Sequence, residues 1–187
     1  MSKALVFLAD GFEEIEAITI IDILRRGGVS AVTASISNSK TVKGSHGIEI
    51  HADCLAADAT KDSELDSYDM VVLPGGLPGS TNLNASTYVS KALKNHQQKS
   101  KWISAICAAP LVLCHHEVVK GKKITHYPGA VSNLNGASYV EKPVVVDGKI
   151  TTSRGPGTAL LFAIQLVENL KGKGAADTLA GQVLISR

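Results

Sequence analysis

Apolar residues along this chain fall into short continuous runs that alternate with longer segments of helical periodicity. Continuous runs of this kind are typical of strands buried on both faces, whereas apolar residues three and four positions apart predict amphipathic helices. The runs predict strands over residues 3–9, 30–36, 68–76 and 101–107. The periodic segments predict helices over residues 10–28, 81–98, 108–119 and 155–170, and the last residues are expected to add a short helix.

Local signals support these elements. The first helix has acidic residues in its first turn, two arginines in its last turn and a Gly-Gly pair after it, which are the usual start and stop signals of a helix. Two other segments, 42–53 and 144–153, predict β-hairpins, and the second contains the turn sequence Asp147-Gly148.

Strands that alternate with helices predict an α/β protein with a mostly parallel sheet covered on both faces. No linker or internal repeat interrupts the pattern, so residues 1–187 are predicted to form one domain. Ligands of open sheets bind beyond the carboxyl ends of the strands. Four polar or flexible corners follow predicted strand ends and predict a shared pocket: Asp10-Gly11, Gly75-Gly76, Cys107 and Ser153-Arg154-Gly155.

Composition narrows the class of protein. The formal charge of +2 and the scattered lysines argue against nucleic-acid binding. No apolar run is long enough to span a membrane, and no cleavage pattern follows the N-terminus, so we expect a soluble, cytoplasmic protein. Three cysteines without CxxC spacing fit a reducing compartment and predict neither disulfides nor a zinc site.

Cys107 is the main candidate for chemistry. It lies between a predicted strand and a predicted helix, where a side chain projects clear of the backbone as in a nucleophile elbow. The following helix N-terminus is expected to favour the thiolate, which is the nucleophilic and oxidisable form of cysteine. Small neighbours such as Ala108 leave room for a ligand. We therefore interpret Cys107 as reactive rather than as a packing residue.

The other cysteines are interpreted differently. Cys114 follows about 10 Å along the helix, which is too far for a disulfide with Cys107, and core packing is expected. The sequence Cys114-His115-His116-Glu117 resembles a metal cluster, but adjacent helical residues point about 100° apart, so no metal site is predicted there. Cys54 is left without a role.

Glu16 is a candidate acid or base. Helical spacing places it beside Ile20 and Ile23, at the edge of the apolar face, where lost solvation would raise the pKa of its carboxyl group. A protonated carboxyl could donate to a thiolate or exchange protons near neutral pH. The spacing equally allows an ordinary solvated glutamate, as it does for Glu13 and Glu14 in the same turn.

Three further features are weaker candidates. The backbone amides of Gly75 and Gly76 could stabilise an oxyanion, although the segment lacks the lysine of a phosphate-binding loop. His126 could be a base for the thiol or a structural residue at a strand end. Arg154 could bind an anion or pair with a surface carboxylate.

Five segments together resemble the DJ-1/ThiJ/PfpI family, in its DJ-1 branch: ALVFLADGFEEIEA, DILRRGG, YDMVVLPGG, AICAAP and TSRGPGT. They occur in the order typical of the family, between residue 4 and about residue 170. The resemblance implies a flavodoxin-like three-layer α/β/α sandwich that forms a homodimer. It implies a nucleophilic Cys107 with a protonated Glu16 as its partner, and Gly75, Gly76 and Ala108 as backbone donors.

The resemblance also implies candidate activities that need no cofactor: a glutathione-independent glyoxalase converting methylglyoxal to lactate, a protein deglycase, or a redox sensor and chaperone. Its expected partners are a small aldehyde or a glycated protein. The sequence departs from the branch at two places. Tyr127 stands where a histidine often precedes the loop proline, with His126 one position earlier, and His46 stands where relatives often have arginine, which weakens anion binding there.

Overall fold

The computed structural model describes residues 1–186. Its strands are β1 Lys3–Leu8, β2 Ser30–Ser35, β3 Thr41–Lys43, β4 Glu49–His51, β5 Cys54–Leu55, β6 Met70–Leu73, β7 Trp102–Ile106, β8 Lys123–Ile124, β9 Ser138–Tyr139, β10 Val144–Asp147 and β11 Ile150–Ser153. Its α-helices are α1 Glu14–Arg26, α2 Ala56–Ala59, α3 Asp62–Leu65, α4 Gly79–Ala85, α5 Thr87–Gln98, α6 Pro110–His115, α7 Ala159–Lys171 and α8 Lys173–Gln182. A 3₁₀ turn, Pro156–Thr158, precedes α7.

Seven strands form the main sheet in the order β10-β11-β7-β6-β1-β2-β5. Every neighbouring pair is parallel except β10 and β11, which form the antiparallel hairpin predicted from the Asp-Gly turn. The other predicted hairpin, β3 with β4, lies outside this sheet. The prediction of a mostly parallel sheet is therefore confirmed.

Helices cover both faces of this sheet because successive side chains of a buried strand point to opposite sides. Val6 and Leu8 of β1 pack with α1, α7 and α8, whereas Leu5 and Phe7 pack in a second core cluster with α2 to α6. The result is the three-layer α/β/α sandwich implied by the resemblance. No helix in the described part of the chain is both long and apolar enough to cross a membrane.

Several boundaries differ from the predictions for local reasons. The segment predicted as one helix over 81–98 is divided into α4 and α5, because Ser86 is extended with ψ of 122°. The helix predicted over 108–119 is only the six residues of α6. Elements β5, α2, α3, β8 and β9 are absent from the predictions, since two to four residues are too few to show a period.

The order of strands explains where the site forms. The chain runs from β1 outward to β2 and β5, and then returns to β6 on the other side of β1. Such a reversal leaves a crevice at the carboxyl ends of the strands that flank it. The four predicted corners follow β1, β6, β7 and β11, which are adjacent strands, so the sheet brings them to one rim.

Candidate active site

Cys107 occupies a strained turn between β7 and α6. Its φ angle is 63°, in the left-handed region that side chains other than glycine adopt at a cost of about 1–2 kcal/mol. Two hydrogen bonds hold the turn: the Cys107 N–H donates to the Ser153 carbonyl at 3.0 Å, and the Tyr127 N–H donates to the Cys107 carbonyl at 2.9 Å. The surrounding strands therefore maintain this geometry, which presents the thiol at the rim.

Glu16 lies within the first turn of α1 and faces this thiol. Its side chain is fully buried, and its Oε2 accepts a hydrogen bond from the Gly75 N–H at 2.8 Å. Its Oε1 has no hydrogen-bond partner among residues 1–186, and the Cys107 thiol is the neighbouring group that can supply one. Burial raises the pKa of Glu16 to about 7, although the interactions with Cys107 and Gly75 oppose this effect. Of the two interpretations left open by the spacing, the structure shows the buried carboxyl group.

Glu13 supports Glu16 from the residue before α1. Its Oε2 accepts the Glu16 N–H at 2.8 Å as a helix cap, and its own N–H donates to the Gly75 carbonyl at 2.9 Å. The charge of Glu13 further raises the pKa of Glu16. Glutamate is not one of the preferred N-cap residues, so no signal in the sequence marks this cap.

The thiol itself differs from the expectation of a lowered pKa. Burial and the adjacent Glu16 carboxylate raise the pKa of Cys107 to about 12, whereas the backbone N–H groups of Gly76 and Ala108 oppose the rise. The expectation overrated the helix, because α6 has only six residues and begins three positions after the cysteine. Since burial disfavours two charges together, the Glu16–Cys107 pair carries one negative charge above about pH 7.

The predicted backbone donors have separate roles. The Gly75 N–H donates to Glu16, which makes it less available to an oxyanion, so its role as an oxyanion donor stays a prediction. The N–H groups of Gly76 and Ala108 interact with the Cys107 sulfur. Glycine is required at position 75, because a Cβ there would lie 2.5 Å from Glu16 Oε2 and 2.6 Å from the Cys107 Cβ.

His126 makes its recorded side-chain contacts with Tyr127 and Tyr139, outside the pair. It is nearly buried, its Nδ1 donates to the Tyr127 carbonyl at 2.8 Å, and its ring lies 4.6 Å from that of Tyr139. Within residues 1–186 it makes no hydrogen bond to Cys107. The structure therefore corrects the prediction of His126 as a base and favours its structural alternative, since adjacent residues of an extended segment face opposite ways.

His46 and Arg154 are each paired with a carboxylate. The His46 Nδ1 lies 2.8 Å from Glu14 Oε2, and the Arg154 Nη1 lies 3.0 Å from Glu141 Oε1. Burial would raise the pKa of Glu14, but the hydrogen bonds from His46 dominate and lower it to about 2. The ionised Glu14 carboxylate disfavours an anion beside His46, so anion binding there stays a prediction, whereas Arg154 forms the surface pair that was its alternative.

One group of side chains could offer ligand atoms to a metal. Glu13, Glu14 and His46 place such atoms within 4.8 Å of one another. However, both Glu14 oxygens accept hydrogen bonds from the turn between β3 and β4, so this carboxylate serves to anchor the hairpin on α1. Cys114 is buried in the core, as predicted, and Cys54 is half-buried with its thiol 3.6 Å from the Thr33 carbonyl oxygen.

Comparison with known proteins decides the family. The profile of the DJ-1/PfpI family matches residues 2–169. The chain belongs to the DJ-1/PfpI family. Protein dj-1beta of Drosophila melanogaster is 43% identical over 189 residues, covering 100% of this chain and 99% of that protein. Its crystal structure has a TM-score of 0.93 at 41% identity and covers 100% of both chains.

Two further relatives have informative names. The glutathione-independent glyoxalase DJR-1.2 of Caenorhabditis elegans is 33% identical over 187 residues, covering 99% of this chain and 97% of that protein. The oxidized form of Toxoplasma gondii DJ-1 has a TM-score of 0.92 at 37% identity and covers 100% of both chains. The predicted family and fold of this DJ-1/PfpI member are thus confirmed.

Proposed function

We propose that this DJ-1/PfpI protein converts 2-oxoaldehydes such as methylglyoxal into 2-hydroxy acids without glutathione. The observation that carries the proposal is the buried Glu16 carboxyl group against the Cys107 thiol. A nucleophile next to a proton-transfer group with a pKa near neutrality is the arrangement that this reaction needs. The name of the glyoxalase relative supports the same class of reaction.

The reaction begins in the singly charged form of the pair, when the Cys107 thiol gives its proton to the Glu16 carboxylate. The Cys107 thiolate then adds to the aldehyde carbon, a C–S bond forms, and Glu16 gives its proton to the new alkoxide. The product is a hemithioacetal. The N–H groups of Gly76 and Ala108 lower the pKa of Cys107, so we expect them to stabilise negative charge that develops beside the sulfur.

Proton transfer between the two substrate carbons follows. The Glu16 carboxylate removes the hydrogen of the former aldehyde carbon as a proton and returns it to the neighbouring carbonyl carbon, while the hydroxyl proton of the first carbon passes to the oxygen of the second. The first carbon is thereby oxidised to the thioester and the second is reduced to the alcohol. Water then cleaves the resulting thioester, releases the 2-hydroxy acid and regenerates the thiol. The sum is 2-oxoaldehyde plus water to 2-hydroxy acid, with no external oxidant or reductant. A glycated protein carrying the same hemithioacetal-forming group would be a larger substrate of this pair.

A glutathione-free methylglyoxal assay tests the proposal. We expect Cys107→Ser to lower kcat/KM at least about a thousandfold, and Glu16→Gln to lower it about a hundredfold or more. Cys54→Ser is the matched control, because it removes a half-buried thiol outside the site and should keep wild-type activity. Full activity of Cys107→Ser would contradict the mechanism, whereas loss only in Cys107→Ser would leave Glu16 as a packing residue.

A redox sensor or redox-regulated chaperone is the second candidate. Two peroxide molecules would oxidise the Cys107 thiolate to the sulfinate and leave as water, and the nearby Gly76 and Ala108 N–H groups are suited to the new oxygens. Intact mass after mild peroxide should then rise by about 32 Da, for two oxygens, in wild type but not in Cys107→Ser. An unchanged wild-type mass under these conditions contradicts the sensor proposal.

We also propose a homodimer and a cytoplasmic location. Ile15 and Ile18 lie three residues apart on α1 and are 58% and 44% exposed, and Ile48 of the adjoining hairpin is 57% exposed. Exposed apolar side chains of neighbouring elements suit a second copy of the chain. The three cysteines are free thiols, which fits a reducing compartment. Sedimentation of wild type and Ile15→Lys tests the dimer, which the substitution should weaken.

A further inference from the structure

A shallow cleft beside Cys107 has no part in the mechanism above. Its volume is about 240 Å³, and its lining residues are Tyr127, Pro128 and the segment Arg154–Thr158. Tyr127 and Pro128 form one wall, and Arg154–Thr158 form the other. Each wall starts at or next to a residue whose backbone is hydrogen-bonded to Cys107. The Tyr127 N–H donates to the Cys107 carbonyl, and the Ser153 carbonyl, which precedes Arg154, accepts the Cys107 N–H. The cleft therefore lies next to the turn that carries Cys107, although Cys107 is not itself among the lining residues.

The walls of the cleft are flat and mostly apolar. The Tyr127 ring is 51% exposed and lies over Gly155, where an added Cβ would come within 3.2 Å of ring atom Cδ2. Pro128 and Pro156 add apolar surface. Arg154 contributes the one formal charge among the lining residues, and its guanidinium is paired with Glu141. An uncharged, planar group suits this lining better than an anion.

We propose that Tyr127 selects 2-oxoaldehydes that carry an aryl substituent. The inference rests on the proposed function and names the substrate class of the same site. In such a substrate the aryl ring is bound to the ketone carbon, next to the aldehyde carbon that Cys107 attacks. The ring would stack on Tyr127 or meet its edge, which are the favoured geometries of aromatic pairs. A methyl substituent occupies only a small part of about 240 Å³ and makes little contact with the ring. Tyr127 acts here as a specificity residue, since its ring takes no part in proton transfer.

The test compares phenylglyoxal with methylglyoxal in wild type, Tyr127→Phe, Tyr127→Ala and Tyr127→His. The three variants, like wild type, keep the backbone N–H that holds the Cys107 turn. We expect Tyr127→Ala to lower kcat/KM for phenylglyoxal about tenfold and for methylglyoxal less than about threefold. Tyr127→Phe should retain the wild-type ratio of kcat/KM for phenylglyoxal to kcat/KM for methylglyoxal. The ratio for Tyr127→His should lie between those of Tyr127→Phe and Tyr127→Ala. Equal losses for both substrates in Tyr127→Ala would overturn the inference.

A binding measurement separates this inference from the proposed function. Mandelate and lactate are the 2-hydroxy acids formed from the two substrates, and their binding to Cys107→Ser requires no turnover. Mandelate should bind more tightly than lactate by about tenfold, and Tyr127→Ala in that background should abolish the difference. If wild type lacks activity but the mandelate preference depends on Tyr127, the mechanism fails and the aryl cleft stands. Equal binding of the two acids overturns the aryl cleft, whatever the activity.

Discussion

The Glu16 carboxyl group binds the Gly75 N–H with one oxygen at 2.8 Å and meets the Cys107 thiol on the same rim. The first contact fixes the orientation of the carboxyl group, and burial supplies its raised pKa. The pair is thereby positioned before any substrate binds. Preorganisation of this kind is a main source of catalysis, because no reorientation is needed during the reaction.

The rate of methylglyoxal conversion should depend on the first ionisation of the pair. With the pKa of Glu16 raised to about 7, the singly charged pair disappears as the pH falls below that value. We expect kcat/KM to rise about tenfold per pH unit below about pH 7 and to level off above it. The pH profile of wild type measures this. In Glu16→Gln the residual kcat/KM should not change with pH near 7. If the variant keeps the pH profile of wild type, the ionisation near pH 7 belongs to another group.

Gly75→Ala should disrupt the site by displacing Glu16 and Cys107, although residue 75 has no side chain of its own in the reaction. The added Cβ would lie 2.5 Å from Glu16 Oε2, 2.6 Å from the Cys107 Cβ and 2.9 Å from the Ile106 carbonyl oxygen. We expect a loss of about 1–3 kcal/mol in the free energy of unfolding, measured with urea, and a large loss of activity.

Gly174→Ala is the matched control for this substitution. Its Cβ would meet nothing within 4 Å, and alanine is favoured over glycine in a helix such as α8 by about 0.5–1 kcal/mol. Normal activity with unchanged or increased stability is expected. Equal behaviour of the two variants would contradict the close packing at Gly75.

Glu16→Gln should stabilise the protein at neutral and higher pH while it lowers activity. The pKa of Glu16 is raised from 4.5 to about 7 in the folded state, so the folded state binds more protons between these values than the unfolded state. The associated stability is fully present below about pH 4.5 and is lost as the pH rises through about 7. Glutamine has no such loss.

Urea unfolding of wild type and Glu16→Gln at about pH 5 and about pH 8 measures this effect. The advantage of the variant should grow with pH, by up to about 3 kcal/mol. If the difference in free energy of unfolding between the two proteins does not change with pH, burial does not raise the pKa of Glu16.

His96 should destabilise the protein in acid. It is fully buried on α5, its Nδ1 donates to the Ala92 carbonyl at 3.1 Å, and its Nε2 has no partner among the described residues. Burial, and then the charge of Lys101, lowers its pKa from 6.5 to about 4. The unfolded state therefore binds more protons between these values, and stability falls as the pH drops from about 6.5 to about 4.

The variant His96→Leu isolates this contribution. As the pH falls from about 6.5 to about 4, the free energy of unfolding of His96→Leu, measured with urea, should decrease less than that of wild type, by up to about 3 kcal/mol. Both proteins share every other titrating group, so the difference belongs to His96. Identical pH slopes of the two proteins would exclude His96 as the source of acid sensitivity.

The mostly parallel sheet and the place of Cys107 at the end of a strand follow from the amino-acid sequence alone. Continuous apolar runs separated by periodic segments require buried parallel strands, since a strand covered on both faces has no polar side. The corners after β1, β6, β7 and β11 then had to meet at one rim, and Cys107 follows β7 directly. The burial of Glu16 does not follow from the sequence, because its helical spacing allows both a buried and a solvated carboxyl group.

The surroundings of the thiol depend on contacts between segments that are far apart in the sequence. The Gly75 N–H is occupied by Glu16, His126 turns towards Tyr139, and the pKa of Cys107 is raised rather than lowered. Each result depends on atoms brought from distant parts of the chain. Burial and hydrogen bonding act over a few ångströms in space, whereas sequence patterns report only local backbone geometry and which side of an element faces the core.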